Sequence, residues 1–120
     1  MDTSKVFNEF ITTLREKSEN IPVIVEGKRD RDFLKRFGIN NIYTLSGKNY
    51  HDLLEELPED TTEVILLTDI DKQGEKIFKK LKGLLESQNI TVDGSFRRYL
   101  KTLGVKEVEQ LQEVLLGKNF

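Results

Sequence analysis

Cysteine is absent from the sequence, and histidine occurs once, at His51. Without thiols there are no disulfides, no thiolate zinc sites and no cysteine nucleophile. Without a cysteine or histidine cluster there is also no zinc module. Long apolar runs are missing too. None approaches the roughly 18 residues of a membrane span, and the N-terminus lacks a signal-peptide core, so no membrane partner is expected and the default location is cytoplasmic. Repeats and low-complexity segments are absent. Positive charge is locally missing: residues 49–71 carry eight acids (Asp52, Glu55, Glu56, Glu59, Asp60, Glu63, Asp69, Asp71) and no lysine or arginine.

The next 30 residues reverse that balance. Residues 72–101 hold eight bases (Lys72, Lys76, Lys79, Lys80, Lys82, Arg97, Arg98, Lys101) against Glu75, Glu86 and Asp93, so the net charge of −2 hides an acidic stretch followed by a basic one. Such a pairing suits a phosphate-bearing polymer better than a small neutral ligand, although a solvated helix face accounts for the charge equally well. At 120 residues the chain is expected to form one domain around one sheet. Its 33% of charged residues exceeds the roughly 25% usual for globular proteins, a weak mark of heat adaptation.

The most informative stretch is Val64-Ile65-Leu66-Leu67-Thr68-Asp69-Ile70-Asp71-Lys72-Gln73-Gly74. Four consecutive apolar residues read as a strand buried on both faces, and two carboxylates appear where it should leave the sheet. Asp69 and Asp71 are two apart, hence on one side of an extended backbone. Carboxylates so placed are relieved by a divalent cation or by a raised pKa. Asp71 could instead cap the helix that follows. Upstream, Ile21-Pro22-Val23-Ile24-Val25 is a second apolar run and ends in Glu26-Gly27. Parallel pairing of these two strands would bring Glu26 to the aspartates.

Around these, helical spacing predicts a helix over residues 2–17 (Val6, Phe7, Phe10, Ile11, Leu14), a strand over 22–25, a helix over 30–36 with Phe33, Leu34 and Phe37 inward, and a strand over 41–45. Ser46-Gly47-Lys48-Asn49 reads as a turn. A helix over 50–57, a strand over 63–68, a helix carrying Ile77, Phe78, Leu81, Leu84 and Leu85, and an edge strand over 89–92 follow. Two further stripes, Phe96/Tyr99/Leu100/Leu103 and Val105/Val108/Leu111/Val114/Leu115, make a helical extension over about 95–117, and residues 117–120 are expected to fray. The order describes a single open α/β domain, with a mainly parallel four-stranded sheet and helices on both faces. Ligands of such sheets bind beyond the carboxyl ends of the strands. Glu26-Gly27, Ser46-Gly47 and the two aspartates all fall there. The helix opening after Glu26, with Lys28, Arg29 and Arg31, would welcome an anion such as phosphate.

Together these residues resemble the Toprim family, the catalytic domain of bacterial-type primases, topoisomerases, ribosomal-RNA maturases, recombination mediators and certain nucleases. The resemblance rests on Glu26-Gly27 after the first strand, extended by Asp30, on Asp69-Ile70-Asp71 with Gly74 after the third, and on Ser46-Gly47, over about residues 21–92. It implies that Asp69 and Asp71 hold Mg²⁺, or Mn²⁺ in its place. Glu26 would then be a further ligand or the general acid/base in phosphodiester chemistry on RNA or DNA. Gly27, Lys28, Asp30, Ser46, Gly47, Lys48, Lys72 and Gly74 would approach phosphate or nucleic acid. There is no room for a topoisomerase's strand-breaking domain, and nothing in the sequence reads a template or nucleotide, so a nuclease or RNA-processing role is favoured over a polymerase. The alternative is a non-catalytic nucleic-acid-binding module acting with a protein partner or a second copy. A phosphatase of the haloacid-dehalogenase type also places Asp-x-Asp after a strand, but its downstream lysine and acidic pair have no counterpart here.

Overall fold

A computed structural model describes residues 2–116; the end expected to fray, 117–120, lies outside the described residues. Its strands are β1 (Val23–Val25), β2 (Ile42–Thr44), β3 (Glu63–Leu67) and β4 (Thr91–Asp93), and its helices are α1 (Thr3–Ser18), α2 (Lys28–Lys35), α3 (Tyr50–Glu56), α4 (Lys72–Ser87), α5 (Arg97–Leu103) and α6 (Leu111–Leu115). A 3-10 turn, Val108–Gln110, precedes α6. All strand pairs are parallel and the sheet order is β2-β1-β3-β4.

The open parallel sheet expected from the sequence is therefore present, with β4 at an edge. β4 begins at Thr91, two residues later than the pattern suggests, because Asn89 takes a left-handed turn (φ 62°) that ends α4. α2 begins two residues earlier than expected, directly at Lys28, with Gly27 at its cap.

Period-two alternation sorts the strand residues onto two cores. Val23, Val25, Ile65 and Leu67 face α1, α2, α5 and α6; Ile24, Val64 and Leu66 face α3 and α4. Every one of these strand residues is fully buried, which is why both strands read as unbroken apolar runs. On the first face Phe10 meets Phe96 edge-on at 6.3 Å between centroids and Tyr99 at 5.4 Å. Tail and N-terminal helix are thus joined through one aromatic cluster, and α1 and the C-terminal extension share a core.

Chain direction across the sheet reverses between β1 and β3. From β1 the chain crosses to β2 on one side, and from β2 it passes over to β3 on the other. The helices following β1 and β3, α2 and α4, pack on opposite faces. A crevice must open between their first turns, beyond the carboxyl ends of β1 and β3.

Phe10→Ala is expected to cost about 3–5 kcal/mol, the usual loss for a fully buried aromatic, whereas Leu115→Ala, at a side chain 52% exposed, should stay within about 0.5 kcal/mol. Urea unfolding of both variants checks the contrast.

Candidate functional site

The register Val25↔Leu67 sets Glu26 and Thr68 at equivalent heights where β1 and β3 end. One residue further, the Glu26 carboxylate accepts the backbone N–H of Asp69 at 2.7 Å on Oε2. Glu26 and Asp69, 43 residues apart in the chain, therefore share one crevice. With Gly27, Lys28, Arg29, Asp30, Ser46, Glu107 and Glu109 they line an open cleft of about 420 Å³.

The turn carrying Asp69 is locked from behind. Gly74 is buried in the first turn of α4, and a Cβ there would lie 1.9 Å from the Asp69 carbonyl oxygen. The Thr68 hydroxyl donates to the Gly74 carbonyl (3.0 Å). Asp71 caps α4, its Oδ1 accepting the Gly74 N–H at 2.6 Å. Arg97, on α5, is buried and aims its guanidinium at the same turn: Nε donates to the Thr68 carbonyl (3.1 Å), and Nη2 to the Asp69 carbonyl (2.8 Å) and to Glu75 (2.6 Å). Its planar group lies over the Phe78 ring, 5.0 Å from the centroid.

These bonds fix the Asp69 backbone and leave its side chain alone. Asp69 Oδ1 is buried without a hydrogen-bond partner. Burial, then the charges of Glu26, Asp30, Glu107 and Asp71, push the Asp69 carboxyl up to about 8. Asp30 is buried beneath the cleft as well and rises for the same first reason, offset by the N–H groups of Gly27 (3.2 Å) and Glu109 (3.1 Å) that it accepts. It ties the start of α2 to the 3-10 turn while also lining the cleft.

Each expected site residue has a definite place. Glu26, Gly27, Lys28, Asp30, Ser46 and Asp69 meet in the cleft. Asp71 does not line it; the turn after Leu67 carries Asp71 to the exposed rim, where one oxygen is taken by the cap. Lys48 reaches Glu56 (2.7 Å) instead of the cleft. Gly47 has a left-handed backbone (φ 80°) with nothing near its absent side chain, Lys72 is exposed at the opening of α4, and Gly74 faces the Asp69 carbonyl.

Three participants were not identified from the sequence. Glu107 and Glu109 arrive through the Ile70 N–H, which donates to the Lys106 carbonyl at 2.7 Å, a long-range bond with no local signal. Arg97, grouped by its charge with Arg98 and Lys101 on a polar face, instead points inward. Its position three residues before Leu100 was the available clue.

All side-chain acceptors in the cleft are hard oxygens, the donor set of Mg²⁺ or Mn²⁺. The orphaned Asp69 oxygen fits such an ion. Among the described residues no three acidic side chains stand close enough to enclose one, so a cation here would keep several waters, as Mg²⁺ does when held by one or two carboxylates.

A family model described as "Toprim domain" matches residues 22–95. Among curated relatives, a UPF0292 protein of Pyrococcus abyssi is 34% identical over 111 residues, covering 92% of this chain and 82% of its own length. One of Pyrococcus furiosus is 37% identical over 109 residues (90% and 80%), and one of Methanocaldococcus jannaschii 31% over 108 (86% and 84%). A solved structure of a "putative protein from Aquifex aeolicus" superposes with a TM-score of 0.80 at 41% identity, covering 86% of this chain and 95% of that one. No described helix is long and apolar enough to cross a membrane.

Two outcomes follow from this geometry. Gly74→Ala should destabilise the fold by about 2 kcal/mol or more, because its methyl meets backbone that cannot yield cheaply; thermal melts measure this. In metal-free protein the Asp69 proton is retained in the folded state and lost in the unfolded one between about pH 4 and pH 8. Stability should therefore fall as pH rises through that window, and Asp69→Asn should flatten the fall, read as Tm against pH in EDTA.

Proposed function

The chain belongs to the Toprim family, and from that premise we propose that its cleft carries out Mg²⁺-dependent chemistry on the phosphodiester bonds of nucleic acid. Membership itself ties the chain to metal binding and nucleic acid; the division of labour among residues is our reading. The single observation that carries it is the Asp69 carboxylate, half-buried among acids with one oxygen unpartnered.

Asp69 and Asp71 would hold the ion, with Glu26 as a further ligand. Asp71 keeps one oxygen beyond its cap, and Glu26 one beyond the Asp69 N–H. A divalent ion so bound neutralises charge developing on a phosphoryl oxygen and lowers the pKa of an attacking water. Alternatively to binding the ion, Glu26 would do acid/base work, since one carboxylate oxygen is fixed against the backbone and the residue lines the cleft where a phosphate would sit. Lys28 and the opening of α2, with Ser46 across the cleft, supply positive charge and donors for that phosphate. A cation held here would take the place of the Asp69 proton, because a carboxylate ligand must be deprotonated.

Cleavage of RNA or DNA, as in a nuclease or RNA-processing factor, fits this arrangement better than primase-like synthesis, since nothing among the described residues reads a template base. A second reading, a nucleic-acid-binding module acting beside a partner, draws on the dispersed carboxylates. Asp71 is committed to a cap and no three acids converge.

Calorimetric titration of Mg²⁺ and Mn²⁺ distinguishes these together with a cleavage assay on structured RNA and single-stranded DNA. The enzyme reading expects Asp69→Asn to weaken ion binding by about 100-fold, the upper end of losses seen when support of a metal site is removed. It expects Glu26→Gln to reduce turnover by about 10²–10⁴-fold, the usual contribution of a general acid or base. Ion binding without turnover on any substrate would favour the binding module; no ion uptake by the wild type would contradict both.

A further inference from the structure

Helix α4 carries Lys72, Lys76 and Lys80 at intervals of four, with Lys79 at the margin of the same stripe. All four are exposed, and among the described residues none forms an ion pair. Other exposed lysines, such as Lys5 and Lys35, are also without an acid, but they stand singly, whereas these four follow one another along one helix. Stability alone does not favour this pattern. Like charges four apart repel along a helix, and Lys72 and Lys76 stand near the positive end of the helix dipole, where acids are preferred. The nearby Glu75 is bonded to Arg97 and offsets only the charge of Lys79 on this stripe.

Beside the stripe is a cavity of about 320 Å³ at the start of α3, lined by Tyr50, Gln73, Lys76, Ile77, Lys79 and Lys80. An aromatic ring and an aliphatic side chain thus adjoin a row of ammonium groups, which runs back through Lys72 to Asp71 at the rim of the acidic cleft. The stripe from Lys72 to Lys80 is about 12 Å long, the reach of three or four stacked nucleotides at about 3.4 Å each and of fewer when unstacked.

We propose that the α4 lysine stripe and Tyr50 form a track for a single strand of nucleic acid, its phosphates on Lys72, Lys76 and Lys80 and an unstacked base against Tyr50. The proposal deepens the phosphodiester reading by naming the form of the polymer, and rests on it only for what the strand is delivered to. Charge selects phosphate, and the aromatic cavity selects a strand whose base faces are free; a duplex keeps those faces stacked and offers Tyr50 nothing. Recognition of this kind is independent of sequence.

Fluorescence anisotropy of a labelled 12-nucleotide single strand, measured in EDTA across a salt series, tests the track independently of the cation. The wild type should bind the single strand more tightly than the matching duplex. Lys76→Ala/Lys80→Ala should weaken binding on the order of tenfold at low salt and reduce the slope of log K against log salt by about 1.4, two phosphates at about 0.7 each. Tyr50→Ala should weaken binding with the slope unchanged, and Tyr50→Phe should restore it. Lys5→Ala/Lys35→Ala, which removes equal charge from helices on the opposite face, should have little effect. Equal losses in the two lysine pairs, tighter duplex binding, or equally tight and equally lysine-dependent binding to phosphatidylserine vesicles would overturn the proposal. Because the strand is measured in EDTA, failure of the metal reading and failure of the track are separable.

Discussion

Parallel pairing of β1 with β3 is the constraint on which the site depends. Its register brings the ends of the two strands level, and the Glu26 carboxylate then reaches across to the Asp69 N–H. That bond spans 43 residues and joins the two halves of the carboxylate edge. A one-residue slip of β1 would exchange Ile24 with Val23 and Val25 between the two cores, each already filled to fit the side chains it holds, so close packing on both faces helps to hold the placement of the acids. The reversal of chain direction between these strands opens the crevice into which they project.

Packing holds the acids together against their mutual repulsion. Arg97, the one buried cation that touches this turn among the described residues, spends its hydrogen bonds on the carbonyls of Thr68 and Asp69 and on Glu75, and none on the carboxylates of the cleft. Gly74 and the Asp71 cap fix the same turn from α4. The backbone is thereby rigid while the Asp69 side chain remains without a partner. A folded protein that leaves a buried carboxylate oxygen unsatisfied gives up stability at that point, and binding of a cation in exchange for a proton recovers it. The same logic applies to α4, whose unpaired lysines are a poor choice for the helix and a good one for a polyanion.

Much of this architecture was legible because the sheet's central strands are buried on both faces, so Val23–Val25 and Val64–Leu67 stand out as unbroken apolar runs, each ending in acid. Their order and the short connections left few topologies open. The residues that were not legible are those whose roles are set by tertiary contact. Glu107 and Glu109 occur in an ordinary polar stretch and reach the cleft only because Ile70 bonds to Lys106 and Asp30 to Glu109. Arg97 was read by its charge, whereas its neighbours on the helix place it inside. Asp71 was expected beside Asp69 on an extended backbone; the strand ends at Leu67, and Asp71 caps α4 from the exposed rim while its charge still bears on Asp69.

The account turns on Asp69 as a carboxyl that burial and neighbouring acids keep protonated until a divalent ion takes the proton's place. Carbon-13 NMR titration of its side-chain carboxyl, assigned by loss of the signal in Asp69→Asn, measures this directly. The account expects a midpoint near pH 8 in EDTA, and an ionised carboxylate already at pH 6 when Mg²⁺ is saturating. A midpoint near 4 that Mg²⁺ leaves unmoved would contradict it.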